Sequence, residues 1–238
     1  TDAGITSSPN LSEDCLLFGS YDNFLYCVDP SSGKMKWRLE TEGYVNATPA
    51  VWNESVISAG CDGFLRLVRL HDGSELKRIS LGGYVGASSA VVGDISVVGN
   101  FDSQVLGIDL TLGEVIWTFD NPDLDFPFYA SAAVSEQIAV VAGRDKNVYA
   151  LSPEGGELRW SRNVDARVDS SPVIVGRRVF VATQTGRLLA LNLDDGSIVW
   201  IFETGESMTA SPSVAAGHLL IGTADGTLFA FAEPARKL

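Results

Sequence analysis

Between residues 170 and 209 the chain alternates short apolar runs with polar breaks. SSPVIV, RRVFVAT, LLALNL and SIVWIFE are rich in Val, Ile and Leu, and TGR and DDG punctuate them. Runs of this length bounded by Gly and Asp predict four short strands joined by tight turns. No window carries the apolar period of an amphipathic helix.

The same phrase recurs. Four tryptophans, Trp37, Trp117, Trp160 and Trp200, each follow a Gly-x-x-x frame, and Lys77 stands where a fifth belongs. The frame glycines Gly33, Gly73, Gly113, Gly156 and Gly196 are spaced by 40, 40, 43 and 40 residues. A small-residue patch keeps the same phase, from TSSP at 6–9 through its counterparts at 46–49, 86–89, 129–132, 169–172 and 209–212. So does a turn acid at Asp22, Asp62, Asp102, Asp145 and Asp225, broken once by Thr185. A four-stranded unit of about 40 residues repeated in this way predicts an all-β fold, a β-propeller. It has about six blades, in units of about 5–46, 47–86, 87–129, 130–169, 170–209 and 210–238, forming one domain. The last blade lacks its outer strand, and the start of the chain aligns with the end of an outer strand, so truncation at the N-terminus is expected.

The repeat assigns roles. The frame glycine supplies a positive φ between the third and outer strands. The tryptophan is expected to lie over a turn of the neighbouring blade, its indole N–H on a carbonyl. Hydroxyls fill one slot of every small-residue patch (Ser8, Thr48, Ser88, Ser131, Ser171, Ser211) and are expected to satisfy backbone groups near the axis. The turn acids suit tight turns. Cys15, Cys27 and Cys61 fit structural positions, their odd count and spacing match no metal motif, and no disulfide is expected.

Charge and composition narrow the function. Thirty acidic against 17 basic residues give a formal charge of −13, the wrong sign for nucleic acid. No apolar run is long enough for a transmembrane segment. His71 and His218 are the only histidines and lie far apart, so neither a histidine-based metal site nor a Ser/His/Asp set is expected. No histidine lies in the serine frames, and no catalytic residue is assigned.

ALNLDDGSIVW, with the looser CVDPSSGKMKW, GIDLTLGEVIW and ALSPEGGELRW, resembles the tryptophan-docking motif of the pyrroloquinoline-quinone-like (PQQ-like) propeller repeats. GCDGFLR, FPFYASAA, GRDK and the stretch at 168–173 resemble a bacterial branch of secreted repeat proteins. The resemblance covers essentially the whole chain and implies a periplasmic or otherwise extracytoplasmic location, with eight blades in a full-length protein. The family includes quinoprotein dehydrogenases, which use PQQ, calcium and an adjacent cysteine pair, and BamB, a non-enzymatic scaffold of outer-membrane protein assembly. This chain has neither an adjacent cysteine pair nor a CxxCH motif, so PQQ is possible by resemblance only and no cofactor is predicted.

The expectation is therefore a non-enzymatic binding or scaffold module. The alternatives are a fragment of a PQQ-dependent dehydrogenase and the ligand-sensing domain of a larger receptor. Repeats fix most positions for blade geometry, so function should collect where one unit departs from its siblings. The 120–129 segment departs in length and composition. Phe126, Phe128 and Tyr129, with Arg144, Lys146, Arg167 and Asp169 nearby on the interblade-loop face, form the candidate site. Aromatic area beside cations suits a protein partner or a small anionic or planar ligand.

Overall fold

The computed structural model describes residues 1–120 and 126–232. It contains six antiparallel sheets, each a meander in chain order: five of four strands and a last one of three. Blade five shows the plan, with strands Val173–Val175, Arg178–Ala182, Arg187–Asn192 and Ile198–Glu203. The last blade has Ser213–Ala215, His218–Gly222 and Leu228–Ala232. Its sequence beyond Ala232 lies outside the described residues.

Adjacent blades pack face to face, and the alternation of each strand supplies both faces. Ile57, Leu65 and Leu67 of blade two meet Val98, Leu106 and Ile108 of blade three in one apolar cluster. Val140, Val148 and Ala150 of blade four meet Val179, Leu189 and Leu191 of blade five in another.

The tryptophans seal these seams. Trp37, Trp117 and Trp160 donate their indole N–H to the carbonyls of Leu70, Pro153 and Leu193, each at 2.8 Å. Each ring lies where a Cβ on the next frame glycine (Gly73, Gly156, Gly196) would stand, and these glycines have φ of +74°, +73° and +67°. The glycine is thus needed twice, for its backbone angle and for the ring. A second small residue is needed within the blade. Trp37, Trp117, Trp160 and Trp200 stand directly across from Cys27, Gly107, Ala150 and Ala190, with a β-bulge beside each pair. In blade two, Leu67 faces Lys77 instead. The lysine stem lies against Gly113 and its Nζ donates to the Thr111 carbonyl at 2.5 Å, a cationic substitute for the indole.

The turn expected to receive Trp200, one repeat beyond Leu193 and Gly196, lies outside the described residues. Trp200 stacks on Phe202 and meets Phe231 edge-on, with centroids 6.0 and 5.4 Å away. Leu228 is 69% exposed, whereas Leu188, in the same slot of blade five, is fully buried.

Near the axis, the hydroxyl slot performs as expected. The main-chain N–H groups of Ser8, Thr48, Ser88, Ser131 and Ser171 donate to the hydroxyls of Thr48, Ser88, Ser131, Ser171 and Ser211, at 2.8–3.1 Å. Each hydroxyl therefore ties its blade to the one before it. The turn acids also act locally. Asp22, Asp62, Asp145 and Asp225 accept the N–H two residues on, at 3.0–3.2 Å.

One expectation about the cysteines is corrected. Cys15 and Cys27 form a disulfide, with Cα atoms 5.4 Å apart. Leu17 pairs with Cys27 across neighbouring strands, and Cys15 lies two residues from Leu17 on the same side, which brings the two thiols diagonally together. Spacing alone did not reveal this because it depends on strand register. Cys61 is a free, half-buried thiol, and burial pushes its pKa up.

Candidate functional site

The turns joining second to third strands and the loops joining blades share one face. Main-chain bonds tie them together: Tyr21, Cys61, Phe101, Gln184 and Ala224 donate to the carbonyls of Gly4, Tyr44, Tyr84, Arg167 and Ser207. These bonds fix the loop backbone.

On this face, blades three to five carry a continuous polar and aromatic ladder. Phe101 packs on Tyr129 with ring centroids 4.7 Å apart. The Arg144 guanidinium lies 3.9 Å from the centre of the Tyr129 ring. It also grips Asp169 bidentately, Nε to Oδ1 at 2.7 Å and a terminal nitrogen to Oδ2 at 3.1 Å. Gln184 donates to the same carboxylate. The hydrogen bond from Arg144 to Asp169 raises the arginine pKa, so this cation stays charged at any working pH.

The seven candidate residues therefore divide. Tyr129, Arg144 and Asp169 come together. Phe126 is 40% exposed at the rim, next to residues 121–125 of the inserted loop, which lie outside the described residues. Phe128 is 3% exposed and enters the seam between blades three and four, against Gly99 and Tyr149. Its place is in the core because it occupies the slot held by Val45, Val85 and Val168 in other units, all buried. Lys146 and Arg167 are exposed on the same face and join no ion pair among the described residues. Lys146 sits at φ +69°, in the turn position that Gly63 and Gly186 occupy in blades two and five.

A further group of side chains lies outside the candidate set. Among the described residues, the exposed aromatic side chains are Tyr21, Tyr44, Tyr84 and Phe126, and all lie on this face. Tyr21 and Tyr44 pack together with centroids 4.9 Å apart. The signal was present in TEGYVN and LGGYVG, where a tyrosine follows glycine in an interblade loop.

The family model described as outer membrane protein assembly factor BamB matches residues 1–119 and 102–233. The chain belongs to this family of PQQ-like β-propellers. Among solved structures, BamB from Moraxella catarrhalis is similar at 16% identity and TM-score 0.65, over 100% of this chain and 85% of that one. The computationally designed Ika8 protein is similar at 18% identity and TM-score 0.84, over 98% of this chain and 72% of that one. These two likenesses concern the fold. A search of curated proteins finds no match.

The residues of this BamB-family propeller do not fit a quinone and calcium centre. Two of its cysteines are joined within blade one, buried on adjacent strands, and the third lies apart in a turn. Among the described residues, no group of three His, Cys, Asp or Glu side chains is disposed to hold a metal ion. Asp22, Asp62 and Asp145 are engaged in their turns, and Asp169 is ion-paired to Arg144.

Proposed function

We propose that this chain is a non-enzymatic binding or scaffold module, one propeller domain of the six units given above, whose partner is a protein docking on the interblade-loop face. The observation that carries this reading is the segregation of exposed aromatic side chains to that face. Tyrosine and phenylalanine held on a fixed backbone offer large contact area at low entropic cost, and interfaces are enriched in them. Phe126, Tyr129, Arg144, Lys146, Arg167 and Asp169 form one part of the docking surface, supported from beneath by Phe128. Tyr21, Tyr44 and Tyr84 form another. The opposite face offers short polar turns such as SSG, HDG and DDG.

Family membership supports a role in protein assembly at the outer membrane, as the family's description states. The Cys15–Cys27 disulfide supports an extracytoplasmic location, because such bonds persist in oxidising compartments. No helix of the described residues is long and apolar enough to cross a membrane.

Site-specific photo-crosslinking in cells tests the docking face. A photoreactive residue at Tyr44, Tyr84 or Phe126 should give discrete protein adducts, and one at Ser31, Asp72 or Asp195 should not. Adducts arising equally from both faces, or only from the turn face, would refute the assignment.

A further inference from the structure

Blade three handles its turn acid differently from its siblings. In blades one, two, four and six the acid accepts the N–H two residues on. In blade three, Asn100 takes over that task. Its Oδ1 accepts from the N–H of Asp102 at 3.1 Å and of Gln104 at 2.9 Å, while its amide donates to the Leu81 carbonyl and to Gln104. Asp102 is thereby released from its turn. It is exposed, and among the described residues no hydrogen-bond donor or cation engages its carboxylate.

The freed carboxylate lines a shallow cleft between blades two and three, with Tyr84, Gly82, Gly83, Phe64 and Ser80. A side chain at position 83 would collide with the Asp102 carboxylate, so Gly83 is what lets it lie there. Tyr84 is 62% exposed. Its carbonyl is held by the N–H of Phe101 at 2.9 Å, so the ring projects from a fixed backbone.

The charge around the cleft favours a cation. Arg66 and Arg78 lie behind Phe64, but they are engaged by Asp62, Glu42 and Glu75. With Asp102, four carboxylates stand against two guanidiniums, leaving the surroundings net negative.

The molecule itself shows what fits such a place. At Tyr129, a guanidinium lies on the aromatic face and is gripped by the Asp169 carboxylate. At Phe64, Arg78 lies 5.5 Å from the ring centre and is held by Glu75 and Glu42. The Tyr84–Asp102 cleft repeats this combination of aromatic face and carboxylate without an arginine of its own. We propose that it receives an arginine side chain from a docking polypeptide, stacked on Tyr84 and ion-paired to Asp102. This rests on the reading that the interblade-loop face docks a protein, and it adds the chemistry of one contact.

The test is an NMR titration of the isotope-labelled protein with acetyl-Gly-Arg-Gly-amide. The same peptide carrying citrulline, which is isosteric and uncharged, is the control, and cellobiose probes for a neutral sugar. The arginine peptide should produce saturable amide shifts at Gly82, Gly83, Tyr84 and Asp102, and citrulline should not. Asp102→Asn, which changes only an exposed carboxylate that takes no part in the turn's hydrogen bonds, should weaken the response by about tenfold, as loss of a charge-assisted contact implies. Tyr84→Ala should weaken it as well. Equal shifts from arginine and citrulline, an unchanged response in Asp102→Asn, a response to cellobiose alone, or no response at these residues would each overturn the proposal. Crosslinked adducts at Tyr44 and Phe126 that persist alongside a failed titration would overturn the arginine contact while leaving the docking face standing.

Discussion

Trp160 and Trp200 occupy the same place in the same motif, one blade apart, and have different surroundings. Trp160 lies over Gly196, hydrogen-bonds the Leu193 carbonyl and is buried. Trp200 has the same Ala opposite it and the same bulge, yet it is only half-buried and meets Phe202 and Phe231. The seat of Trp160 is therefore shared between two blades. The third strand and outer strand present the ring, and the next blade's turn must receive it. A third kind of seam joins blades one and two. There the aromatic contact of Trp37 is reinforced by Arg66, which is 1% exposed and paired to Asp62, Glu42 and Glu75.

Truncating the rings should separate the first two cases most widely. Trp160→Ala should destabilise by about 3–5 kcal/mol, the range for a buried large aromatic. Trp200→Ala should cost less than half of that, about 1–2 kcal/mol, because its ring leaves water only in part. Urea denaturation of both variants checks this, and equal losses would break the comparison.

The slot opposite the ring offers a smaller effect. Blade one places Cys27 there and joins it to Cys15, where blades four and five use Ala150 and Ala190. Closing so short a loop stabilises by about 3 kcal/mol at most, so Cys15→Ser with Cys27→Ser should lower stability by about 2–3 kcal/mol. Intact-mass analysis with and without reductant checks the bond, and melts under both conditions check its contribution. No mass change on reduction would show that the two thiols are not joined.

The charged seam should show the smallest change and the clearest pH signature. The hydrogen bond from Arg78, aided by the charges of Arg66 and Arg78, holds the Glu42 carboxyl below its ordinary value despite opposing desolvation. A carboxylate depressed in the folded state contributes stability that is present above its unfolded pKa and lost as pH falls through the folded one. Stability should therefore decline from about pH 5 towards about pH 3, and Glu42→Gln should make that slope shallower. An unchanged slope would show that Glu42 carries no part of this linkage.

Much of the architecture could be read in the chain because the repeat imposes it. Gly-x-x-x-Trp, the small slot opposite the ring and the serine patch are each short-range requirements, and each blade restates them. The candidate site was legible only in part. Arg144 and Asp169 are 25 residues apart, and their pairing under Tyr129 follows from neighbouring blades meeting at the axis. Phe126 and Phe128 look alike in FPFY, yet one lies at the rim and the other enters the seam, because only position 128 falls in the buried slot that valine fills in other units.

The sequence by itself determined the strand plan, the turn glycines, the hydroxyl ties and the blade period, because these depend on local backbone angles and on a distance of one repeat. Only the tertiary structure decided that Trp200 stacks on Phe202 and meets Phe231, that Cys15 reaches Cys27, that Lys77 can stand in for an indole, and that Asp102 is released to solvent. Each of these depends on what a neighbouring strand or blade places opposite a residue. A repeated sequence fixes what every unit offers, but the contact forms only where another surface is there to receive it.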